Sequence, residues 1–117
     1  MISYDEIKQC IKMFIENIPD NEKSKEMAIK LTITTKHPSK NSEYEFRIDT
    51  NDKENYGLKT YFCTHKQGCY DSNFPEKVYY DKHDRYDTEF LVLTKGWNDM
   101  IFIPFWEIAD LHLHAIR

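Results

Sequence analysis

Cys63, His65 and Cys69, in the run Cys63-Thr-His65-Lys-Gln-Gly-Cys69, are thiol and imidazole groups of the kind that bind zinc. His83 offers a fourth ligand further along. Four such ligands close a tetrahedral structural site. The spacing departs from that of common zinc modules, whose cysteines come in pairs two to four residues apart. The competing reading ends a strand at Cys63 and leaves His65 and Cys69 in an ordinary loop. No cofactor is therefore expected, and zinc at Cys63, His65, Cys69 and His83 is the alternative.

His112-Leu113-His114 is a second constellation. On a strand, side chains two apart share a face, so both imidazoles point the same way. A metal would need another ligand, and the sequence names none. Glu43, Glu45 and Asp49 supply carboxylates, but on the outer face of an alternating strand, where solvated charge is the ordinary occupant. No nucleophile elbow, HExxH or phosphate-binding Gly loop is present, and three glycines leave little room for a backbone cradle. A metal-assisted or nucleotide-handling enzyme using residues 63–83 is thus the runner-up reading.

The aromatic residues carry the leading one. The chain holds eight Tyr, seven Phe and two Trp. Phe14, Phe46, Phe90 and Phe102 fall where a core needs them. Tyr70, Phe74, Tyr79, Tyr80, Tyr86 and Trp97, with Tyr56, fall in or beside loops, and Asp71, Asp81, Asp84 and Asp87 lie among them. Tyr and Trp anchor protein interfaces because they bury much area at low entropic cost, while a charged rim steers approach. Tyr70, Phe74, Tyr79, Tyr80, Tyr86 and Trp97 are the expected protein-binding residues.

The elements that must position these groups are legible in the periodicity. Ser3 and Glu6 stand at capping-box spacing, and Ile2 and Ile7 at the spacing of a hydrophobic staple. Ile7, Cys10, Ile11, Phe14, Ile15 and Ile18 follow a helical period, and Pro19 ends it. This predicts an amphipathic helix over 3–18, with Cys10 on its buried face. Met27, Ile29, Leu31 and Ile33 then alternate with polar residues, as do Tyr44, Phe46 and Ile48, predicting a strand hairpin around His37–Ser42. Residues 58–64 and 77–80 read as short strands. Phe90–Leu93 and Met100–Trp106 flank Gly96 and Asn98, which predicts a second hairpin. After Pro104, Phe105, Ile108, Ala109 and His112 match a helix face while Leu111, Leu113 and Ala115 match a strand, and the preferred reading, a short turn at Trp106–Glu107 and a last strand, completes an α+β fold. One N-terminal amphipathic helix packs on a mostly antiparallel sheet of five to seven strands.

Residues 1–117 read as a single globular domain. A net charge of −4 without a basic stripe gives no footprint for nucleic acid, and Arg47, Arg85 and Arg117 are the only arginines. No apolar run reaches the roughly twenty residues of a membrane-spanning helix. MISYDEIK lacks the basic and apolar regions of a secretory leader, and three cysteines form no disulfide framework. A cytoplasmic protein is expected.

Abundant Lys, Asn, Ile and Tyr suggest an AT-rich coding genome. The expectation is a small acidic protein-binding factor, an inhibitor of the phage or mobile-element type that blocks a host defence or serves as a toxin immunity protein. A DNA mimic is the second alternative, weakened by the alternation of Lys and acid along the chain. The partner is another protein, and self-association is compatible with the sequence.

Overall fold

The computed structural model describes residues 1–23, 26–37, 40–63 and 88–116. Helix α1 spans Tyr4–Glu16, and the Glu6 amide donates to the Ser3 Oγ at 3.1 Å as its N-cap bond. A short helix α2 follows at Asp20–Lys23. The strands are β1 (Ala28–His37), β2 (Lys40–Arg47), β3 (Leu58–Cys63), β4 (Thr88–Thr94), β5 (Met100–Pro104) and β6 (Ile108–Ile116). A 3-10 turn at Phe105–Glu107 joins β5 to β6.

Hydrogen bonding divides these strands into two three-stranded antiparallel sheets, ordered β2-β1-β6 and β3-β4-β5. The sequence led us to expect one sheet. The change of sheet falls at the 3-10 turn, where Pro104 ends β5 and the next three residues redirect the chain. Ile7 and Ile11 of α1 pack with Ile29, Leu31 and Ile33 of β1, and with Leu58, Leu91, Leu93 and Ile103 of the second sheet, in one core. The helix therefore serves both sheets.

The other face of the second sheet is apolar too. Phe90, Val92 and Phe102 are buried there, with Tyr61 and Met100 half-buried against them. Edge-to-face ring contacts join Tyr61 to Phe102 at 6.1 Å and Phe90 to Phe102 at 6.4 Å. That double burial explains why Phe90-Leu91-Val92-Leu93 reads as a continuous apolar run, whereas β1 alternates. The β4–β5 hairpin closes as its turn residues require, with Gly96 at φ 92° and the Lys95 amide donating to the Asp99 carbonyl at 2.7 Å.

Three sequence readings are corrected. Cys10 is exposed. At about 100° per residue, Tyr4, Ile7, Ile11, Phe14, Ile15 and Ile18 centre on a line about 85–90° away from Cys10, so the thiol falls off the stripe. Phe14 is half-buried at the edge of the core rather than inside it. Tyr56, grouped by sequence with the loop aromatics, is buried. The Asp49–Leu58 loop folds back on itself, and Tyr56 at φ 54° followed by Gly57 at φ 84° turns the ring inward. A Cβ on Gly57 would stand 3.2 Å from the Asp49 Cβ and 3.3 Å from the Phe46 ring, so this turn requires glycine twice over.

Candidate functional site

The core face of the β3–β4 pair carries three successive cross-strand rungs, Leu58 with Leu93, Thr60 with Leu91 and Phe62 with Glu89. Leu58, Leu91 and Leu93 are buried in the core that Ile7 and Ile11 of α1 share, whereas Thr60 is exposed. Phe62 is left 52% exposed although its alternation matches that of buried Leu58. A groove of about 480 Å³ opens at this end of the fold. Met1, Ile2 and the first turn of α1 form one wall, Phe62 with Thr88 and Glu89 the second, and Phe105 with Trp106 the third.

Its walls are fixed by specific contacts. The Tyr4 ring meets Phe105 edge-on at 6.5 Å, and its hydroxyl is shared between the Asn55 Oδ1 at 2.9 Å and the Leu58 carbonyl at 3.1 Å. Burial, and then the nearby carboxylates of Asp52, Asp5 and Glu54, push the Tyr4 phenol above its ordinary range. Lys8 lies 4.6 Å above the Tyr4 ring and 3.6 Å from the Asp5 carboxylate.

Trp106 is 40% exposed and Met1 91% exposed, so three large apolar side chains open to solvent line this one groove. Asp5 and Glu89 place carboxylates at its rim, and the Ser3 hydroxyl is engaged in capping α1. The arrangement offers apolar area bounded by acceptors, which suits recognition of another surface.

Of the residues singled out by sequence, Cys63 contributes its backbone to the end of β3. His65, Cys69 and His83 lie outside the described residues, as do Tyr70, Phe74, Tyr79, Tyr80 and Tyr86 and the short strand expected at 77–80. Among the described residues, no group of three or more His, Cys, Asp or Glu side chains is placed to hold a metal ion. Trp97 is 92% exposed on the β4–β5 turn. Because β4 runs seven residues from Thr88 to Thr94, that turn stands at the opposite end of the strand from the groove, about 20 Å away.

His112 and His114 do share a face of β6, with ring centroids 5.4 Å apart. Their partners across β1 are Thr32 and Lys30, which bring no metal ligand to them. On β2, Glu45 is engaged with Lys30 at 3.2 Å. Sequence reasoning missed Phe62, Trp106 and Met1. Phe62 and Trp106 belong to apolar runs and read as core, and their exposure depends on tertiary cover that a local pattern does not carry.

No family model, curated protein or solved structure matches the chain. No helix among the described residues is long and apolar enough to cross a membrane.

Proposed function

We propose that this protein acts by binding another protein, and that the groove between the start of α1, the end of β3 and the Phe105–Glu107 turn is a principal contact. One observation carries the reading. Met1, Phe62 and Trp106, three of the six large apolar side chains exposed among the described residues, converge on a single concavity. Isolated exposed apolar residues are ordinary, whereas a cluster with a charged rim is what an interface core and its surround require. Residues 64–87, with their five aromatic candidates, join the described fold at Cys63 and Thr88, which oppose each other beside this rim. Trp97 is a separate anchor at the far end of the same sheet.

The class proposed is an inhibitor of the phage or mobile-element type, for which capture of a target suffices and no chemistry of its own is needed. Affinity capture from a host-cell lysate, followed by mass spectrometry, tests it. Recovery of a stoichiometric protein partner by the parent chain, lost in a Phe62→Ala variant that stays folded, is the expected result. Retention of no protein, with turnover of a small molecule instead, would reverse the reading.

A further inference from the structure

Four strand edges are open among the described residues, and three are guarded. The β2 edge carries Glu43, Glu45 and Arg47, β3 carries Lys59, and β5 is five residues long and ends in Pro104. Charge, shortness and proline are the ordinary devices that keep sheet edges from pairing with other chains. The β6 edge is the least guarded for its length. It is nine residues long, pairs among the described residues only with β1, and bears one formal charge, at Asp110, whose carboxylate accepts from the Leu111 amide at 2.9 Å.

Its sequence, Ile-Ala-Asp-Leu-His-Leu-His-Ala-Ile, reads nearly the same in both directions about His112. That symmetry has a physical meaning. When an antiparallel strand pairs with a copy of itself about a two-fold axis at residue 112, position 112+n faces position 112−n of the partner. His112 then faces the partner's His112, Leu111 faces the partner's Leu113, and Asp110 faces the partner's His114. We infer that the open edge of β6 is a self-recognition site, at which a second copy of this chain pairs antiparallel about His112 and joins the two β2-β1-β6 sheets into one of six strands.

The faces agree with this register. The axis is perpendicular to the sheet, so each face meets its own kind. Leu111 and Leu113 lie on the core side, half-buried at the sheet margin, and each would be covered by the other across the axis. Asp110 and His112 are exposed on the outer side with half-buried His114. The partner's Asp110 carboxylate would stand opposite the half-buried His114 imidazole, an acceptor facing a donor across the axis. Ala109 and Ala115 are small and exposed at the two ends, where bulk would obstruct the approach. The match covers Asp110–His114 and stops near Ala109, where the register against β1 slips between Thr34 and Thr35. Such a bulge twists the strand away from continued pairing.

A second copy is favoured over an unrelated strand because any extended peptide could satisfy the backbone, but the self-symmetric order of side chains complements itself. Sedimentation and disulfide trapping test the register together. The parent should sediment at about twice 14.1 kDa in the micromolar range, and an Asp110→Lys variant, facing the partner's His114, should be monomeric while keeping the parent's circular dichroism spectrum. Directly opposed strand residues have Cβ atoms roughly 4.5–5.5 Å apart, near disulfide range. A His112→Cys variant should therefore cross-link to itself on mild oxidation. Asp110→Cys should not cross-link alone but should do so when mixed with His114→Cys, the linked peptides being read by mass spectrometry against the parent background. A monomeric parent, or a dimer in which His112→Cys fails to link through position 112, overturns the inference.

Discussion

The Tyr4 hydroxyl lies 2.9 Å from the Asn55 Oδ1, a bond that ties the first turn of α1 to a loop fifty-one residues further along. Together with the Leu58 carbonyl it fixes the helix start against β3 and so defines the inner wall of the groove. Tyr4→Phe should cost about 1 kcal/mol, the ordinary worth of such a bond, measured by urea denaturation. A pH effect should accompany it. The fold raises the Tyr4 phenol above its ordinary 10.0, so the unfolded chain loses that proton first. Stability from this group is whole below pH 10 and falls as pH rises beyond it. The Tyr4→Phe variant should show a shallower alkaline decline than the parent.

Asp52 organises the same loop in the opposite sense. Its carboxylate accepts from the Gly57 amide at 2.9 Å and the Asn55 amide at 3.2 Å, and these bonds hold it below its ordinary 3.8. Here the contribution is present above pH 3.8 and disappears as pH falls through the lowered value. Asp52→Asn should be less stable than the parent at neutral pH, and the gap should narrow in acid. A gap that stays constant down to the acid transition would show that the carboxylate charge is not the source.

The helix should be held mainly by its buried centre. Ser3→Ala removes the cap bond and should cost about 1 kcal/mol. Ile11→Ala empties a fully buried site and should cost roughly 2–5 kcal/mol. Phe14→Ala, at a half-buried site, should cost less than Ile11→Ala despite the larger side chain. Chemical denaturation of the three variants gives the order directly.

That order shows where periodicity stops being informative. The spacing of Ile7, Ile11, Phe14 and Ile18 announces a helix, its cap and its end, because those are local matters. How far the stripe is covered depends on the partner surface, which is why Cys10 and Phe14 differ from the reading. The alternation in β1 and β2 fixed their hairpin for the same local reason, whereas the split into two sheets turns on the bend at Pro104–Glu107. Phe62 is the clearest case at the site. Its position in β3 is legible, but its exposure depends on which elements cover that end of the strand, and local alternation does not carry that.

Trp97 sits on a turn that its ring does not support. With 92% of the residue in solvent, Trp97→Ala should leave the melting temperature unchanged. If the ring is an anchor, as proposed, partner binding should weaken by roughly 2 kcal/mol. Unfolding of this variant would place the ring in a structural role instead.

The dissociation constant of the captured partner, measured for the parent and for the Phe62→Ala and Trp106→Ala variants, tests the binding groove most directly. Each ring at the centre of an interface should contribute about 2 kcal/mol, so each variant should bind roughly thirtyfold more weakly while retaining the parent's circular dichroism spectrum. Two folded variants that bind the partner as tightly as the parent would contradict the account and move the interface away from this groove.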